Sequence, residues 1–80
     1  MKLTNAEIIA IEASKRGYSY NGSNIKTYGE WLKLGCQVKQ GQKAFIMTYL
    51  WNSGMNRKTL QGLFTVEQVT KIPTKNLIMV

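Results

Sequence analysis

Lys39, Gln40 and Lys43 surround a single glycine in the run VKQGQKA, residues 38–44. Ammonium groups meet phosphates as point charges, and Gly41 can supply the positive φ of a tight connection. Amides beside such a glycine can also point outward and form an anion-binding concavity. Lys33 precedes this turn, and Arg57 and Lys58 follow it beyond an apolar stretch. The same region holds Tyr28, Trp31, Phe45, Tyr49 and Trp51. Cations interleaved with flat aromatic faces suit a ligand with a charged backbone and flat, unpaired bases. A duplex hides those base faces, so a single strand is the better match. The candidate nucleic-acid-binding residues are Lys33, Lys39, Gln40, Lys43, Tyr49, Trp51, Arg57 and Lys58. A charged turn is also what a plain solvated loop looks like, and the residues alone leave both readings open.

Other chemistry is largely excluded by composition. The chain has no His, no Asp, one Cys and four Glu. Nucleophile–base catalysis needs a group titrating near neutrality, and the usual one is missing. A zinc site would have to combine Cys36 with scattered Glu, which fits no known ligand spacing. No Walker-type or dinucleotide glycine motif occurs. Glu7, Glu12, Glu30 and Glu67 each suit a cap, solvent or surface role. We expect a protein that is not an enzyme and uses no cofactor or metal.

Eleven Lys and Arg against four Glu leave a net charge of +7. So positive a surface attracts nucleic acid, an anionic membrane or an acidic protein, although such charge also simply keeps proteins soluble. Glu7 and Glu12 interrupt the N-terminal stretch, which is therefore not read as a signal peptide. The longest uncharged stretches are too short to span a bilayer. Cys36 can form no internal disulfide and lacks a nearby base to activate it. A soluble protein of the bacterial cytoplasm, with no membrane partner, is expected.

Eighty residues make a single domain, numbered 1–80, with one small core. Thr4 and Glu7 form a capping box for a first helix that Gly17 ends, with Leu3 stapled on Ile8. Ala6, Ile9, Ala10 and Ala13 supply its buried side. Asn21-Gly22 marks a turn. A second box, Thr27 with Glu30, opens a helix over residues 28–34 that Gly35 stops. So short a helix needs packing, here from Tyr28, Trp31 and Leu32. Val38 ends a short strand, and residues 44–51 are the clearest strand, the two joined by the basic turn in a central hairpin. Residues 60–66 return, 67–71 form a short helical turn, and residues 76–80 add an edge strand or stay loose. The fold class is α+β: two N-terminal helices, the second short, followed by a small antiparallel sheet.

Along residues 44–51, Phe45, Met47, Tyr49 and Trp51 share one face while Ala44, Ile46, Thr48 and Leu50 share the other. The aliphatic set suits a core under helices, which would leave the first set as a stacking platform. Otherwise the aromatics are the core and the aliphatic face meets another element. Phe45, Met47 and Trp31 are read as core. Tyr49 and Trp51 stay open between core and ligand.

The stretch TYGEWLKLGCQVKQGQKA resembles ArdC-type antirestriction proteins, in which a Thr-aromatic-x-x-Trp helix leads to Leu-Gly-x-Gln-Val and a lysine-glycine-lysine turn before a strand. LFTVEQVTKIP looks like that family's Phe-x-x-x-Gln signature, carried by Phe64 and Gln68. The resemblance covers roughly residues 27 to 73, with departures at Cys36, Gln40, Gln42 and Ala44. It implies an N-terminal single-stranded-DNA-binding domain that protects entering plasmid or phage DNA. The metalloprotease-like domain often fused to it needs His ligands, so the binding module alone is implied, in the form typical of phages and mobile elements. The alternative is a small inhibitor or adaptor that grips a host defence protein, such as a nuclease, through its basic face. A third class, a structural protein self-associating through its aromatics, also fits, and the oligomeric state is left open.

Overall fold

The computed structural model describes residues 3–52 and 56–72. Its first helix, α1 (Asn5–Lys15), starts where the local chemistry dictates. The Thr4 hydroxyl accepts from the Glu7 amide at 3.1 Å, and the Glu7 carboxylate accepts from the Thr4 amide at 2.8 Å. Gly17, at φ 72°, turns the chain out of the helix. The Asn21 side-chain oxygen then accepts from the Ser23 and Asn24 amides, at 2.8 and 3.0 Å, and folds a tight turn.

That turn delivers β1 (Ile25–Thr27), whose last residue also caps α2 (Tyr28–Lys33). Thr27 and Glu30 bond each other's backbones just as Thr4 and Glu7 do. Gly35 leads into β2 (Cys36–Val38); the basic turn follows, and then β3 (Ile46–Trp51), β4 (Lys58–Thr65), a single 3-10 turn (Val66–Gln68) and β5 (Val69–Lys71).

Two sheets result. The larger is antiparallel in the order β1-β4-β3, and the smaller pairs β2 with β5. The registers Ile25↔Thr65 and Ile46↔Leu63 place every second residue of each strand under α1. Ile8, Ile9 and Ala13 of α1 meet Ile25, Ile46, Leu50 and Leu63 there, all buried. Burying a side chain of this size stabilises the fold by about 1.5–3 kcal/mol. Trp31 anchors α2 separately: its indole N–H donates to the Phe64 carbonyl at 2.9 Å.

The mixed α+β class and the antiparallel sheet agree with expectation, and several details do not. β1 lies between the two helices, so the helices do not both precede the sheet. The basic turn does not close a hairpin, because β2 pairs with β5 while β3 pairs with β4. The hairpin is β3–β4, closed where the Asn52 amide donates to the Arg57 carbonyl at 3.1 Å. On α1 the buried side is Ile8, Ile9 and Ala13, whereas Ala6 and Ala10 face solvent, since the larger side chains remove more apolar area from water. Leu3 is half exposed. Of the α2 trio only Trp31 is buried, and Tyr28 and Leu32 are exposed. Met47, read as core, is 54% exposed. The aliphatic face of β3 meets α1, which turns Met47 toward the opposite side of the sheet. Phe45 does pack on the core, with its ring 5.3 Å from that of Tyr18. The residues 76–80 assigned to an edge strand or a loose tail lie outside the described residues.

Candidate nucleic-acid interface

The turn at 39–43 is built by contacts from afar as much as by its own residues. Gly41 has φ 86°, and the Gln42 amide donates to the Lys39 carbonyl at 3.2 Å, closing a β-turn with glycine at its third position. The Lys39 amide donates to the Gln68 carbonyl at 2.8 Å. The Gln68 side chain does more. Its N–H group donates to the Lys43 carbonyl at 2.7 Å and to the Gln42 side-chain oxygen at 3.1 Å, while its own oxygen accepts from the Thr65 amide at 3.0 Å. The turn is thereby tied to the end of β4. Two of its amides, those of Lys39 and Gln42, are consumed in this bracing. Only the amides of Gln40, Gly41 and Lys43 stay free for an anion among the described residues.

The side chains of Lys39, Gln40 and Lys43 are exposed. Glu67 lies near enough to Lys39 for that charge to help hold its carboxyl below the usual range, though the main cause is the Tyr18 hydroxyl, which donates to it at 2.7 Å. Burial, above all, pushes the Tyr18 phenol up.

The other expected residues fall into separate places. Tyr49 stands at the middle of β3, 56% exposed, on the face turned away from α1. Arg57 and Lys58 lie at the far end of the β3–β4 hairpin, about 17 Å from the turn end at a strand rise near 3.4 Å. Trp51 is half buried there. Its indole N–H donates to the Leu3 carbonyl at 2.9 Å, and the Lys58 ammonium sits 5.1 Å from the ring centroid. Trp51 thus fastens the start of α1 and steadies a lysine, which leaves its ring little freedom to stack on a base. Lys33 ends α2 and shares a shallow depression with Lys26, Glu30 and Leu34. The structure therefore brings together Lys39, Gln40 and Lys43 at one end of the sheet and Arg57 and Lys58 at the other. Tyr49 lies between them, and Lys33 stands apart on α2.

Charge pairing separates α1 from the rest. Glu12 pairs with Lys15 at 3.4 Å and with Arg16 at 3.0 Å, and these bonds hold its carboxyl below the usual range, the Arg16 bond most of all. These are the ion pairs among the described residues, so no carboxylate pairs with the cations from Lys26 to Lys71 there, although Lys26 and Lys58 rest over the Trp31 and Trp51 rings. A cavity of about 450 Å³ opens on the helix side of the sheet, between α1, α2 and the end of β3. It is lined by Glu30, Asn5, Thr27 and Gln61 and by no Lys or Arg, which makes it poor for phosphate. No group of three or more His, Cys, Asp or Glu comes together among the described residues, and none of their helices is long and apolar enough to cross a membrane.

Two features of the site were missed in the sequence. Lys26 occupies the face of Phe64, its cross-strand partner, but a three-residue strand shows no period that would reveal it. Gln68 is visible as part of a motif, yet its role as a strut is not, because it works across 25 residues of chain.

A small α+β module with a braced basic turn and an unneutralised cationic side is the class that the fold defines. Residues 2–77 match the family model of the N-terminal domain of anti-restriction factor ArdC, and the chain belongs to that family. Membership ties it to an antirestriction-related function. No curated protein and no solved structure matches the chain. The two motifs that carry the resemblance meet in space: Phe64 receives the Trp31 indole on its carbonyl, and Gln68 braces the lysine turn.

Proposed function

We propose that this chain is a non-enzymatic module that binds single-stranded DNA and serves an antirestriction or DNA-protecting role for a phage or mobile element in the bacterial cytoplasm. One observation carries the reading. Lys39 and Lys43 project from a turn that Gln68 holds in place before any ligand arrives, and neither lysine is in an ion pair among the described residues. A preformed cationic bend loses little conformational freedom when it meets a sugar–phosphate backbone. Family membership and the net charge of +7 support the same conclusion. The exposed aromatic Tyr49 favours unpaired bases over a duplex.

Fluorescence anisotropy with labelled oligo-dT and a duplex of equal length, each at two salt concentrations, tests the reading. Tighter binding to the single strand is expected, with loss of that binding in Lys39→Glu/Lys43→Glu and no change in its thermal unfolding. Binding to neither polymer would sink the reading and shift the role to a grip on a host defence protein.

A further inference from the structure

On the face of the β1-β4-β3 sheet opposite α1, α2 reaches the β1 end through Tyr28 on Phe64 and Trp31 beneath the Lys26 ammonium. The part formed by β3 and the adjoining residues of β4 has no covering element among the described residues and is largely apolar. Met47, Tyr49 and Leu60 are 54%, 56% and 51% exposed, and Tyr49 and Leu60 are direct cross-strand partners. Phe64 continues the same face, with the half-exposed Tyr28 ring edge-on at 6.5 Å. Three large side chains this exposed and contiguous form a patch that isolated surface apolar residues do not. Gly62, opposite Met47, keeps the patch low at its middle: a Cβ there would sit 3.2 Å from both Ala44 Cβ and Met47 Sδ.

The charges around the patch select among occupants. Lys39 and Lys43 stand at one end, Arg57 and Lys58 at the other, and Lys26 beside Phe64. A second copy of the chain would bring another +7 against these cations, which opposes self-association through the face. A duplex would offer phosphates but no exposed base faces. A single strand offers both, with a flat apolar base for every charge. Side chains alternate along a strand at about 7 Å, so Met47 and Tyr49 are spaced to receive successive splayed bases.

We propose that this open face is the platform on which unpaired bases stack, centred on Tyr49 and Leu60, with the nucleic-acid backbone running from the 39–43 turn toward Lys58. The inference rests on the single-strand reading above and adds to it where the bases go. Trp51, fastened to Leu3, lies outside the platform.

The test compares a labelled oligo-dT with an abasic strand of equal length, which keeps the phosphates and lacks the bases. The wild-type chain is expected to prefer oligo-dT by about tenfold or more, the order expected for one stacked base. Tyr49→Ala/Leu60→Ala should lose most of that preference while holding the abasic strand as before. Lys39→Gln/Lys43→Gln should weaken both strands alike. Both pairs of positions are exposed, and unchanged thermal unfolding shows that the variants fold. Equal wild-type affinity for the two strands, or a preference that survives Tyr49→Ala/Leu60→Ala, would overturn the platform and leave single-strand binding standing. Binding to neither strand would overturn both. Concentration-dependent self-association in sedimentation, abolished by the same double variant, would give the face to a second copy and overturn the platform as well.

Discussion

Gln68 holds three partners with one carboxamide, and two of them belong to the turn that carries Lys39 and Lys43. Gln68→Ala would leave the Lys43 carbonyl and the Thr65 amide without that partner. Thr65 is buried, so the loss should destabilise the fold by about 1–3 kcal/mol. The lysines themselves would be untouched, but their bend would sample more conformations and oligo-dT affinity should fall. Gln68→Glu separates the two effects. It keeps an acceptor for Thr65, removes the donors to the turn, and adds a negative charge beside the cations. Its affinity loss should exceed that of Gln68→Ala, which thermal unfolding and anisotropy would show together. Unchanged binding in both variants would mean that bracing the turn does not matter. None of this was legible from the chain alone. The cations and Gly41 announce a turn, whereas a contact 25 residues away leaves no local trace.

Elements were readable in proportion to their length and the locality of their contacts. α1 and α2 show themselves through Thr4 with Glu7 and Thr27 with Glu30, because a capping box is complete within four residues. β3 and β4 are long and follow each other, so alternation and adjacency both point to them. β1 and β5 have three residues each and exist through pairing with distant partners, Ile25 with Thr65 and Cys36 with Lys71. No periodicity develops over three residues, so the helical turn expected over residues 67–71 is in fact a 3-10 turn at Val66–Gln68 followed by β5. The same limit misassigned Met47. Alternation identifies two faces of β3 but not which one the helix covers, and aromatic content pointed to the wrong side. Gly62 now bears on that face directly. Gly62→Val should destabilise by about 1–3 kcal/mol, since its branches meet Ala44 and Met47 in space already filled. Met47 can swing aside, but Ala44 is fixed to the backbone that leaves the turn. Amide chemical shifts at Lys43 and Ala44 should therefore move with the loss of thermal stability. A variant with neither change would show that the contact is loose.

At the scale of the whole molecule, the distribution of charge matters more than its total. Lys15 and Arg16 share the single Glu12 carboxylate on α1, while the cations of the sheet and turn have no ion pair among the described residues. If Lys39, Lys43, Arg57 and Lys58 each meet a phosphate of a single strand, log affinity should fall against log salt with a slope of about −3. Lys39→Gln/Lys43→Gln removes two of those contacts and should reduce the slope to about −1.4. Lys15→Gln/Arg16→Gln removes the same formal charge from the helix side and should leave the slope where it was, because neither residue lies on the bound face. Anisotropy titrations across a salt series measure all three slopes with one labelled oligonucleotide. Equal reductions in the two double variants would mean that net charge alone, spread over every side, attracts the strand. Unequal ones would tie the attraction to the sheet end where Gln68 holds the lysines.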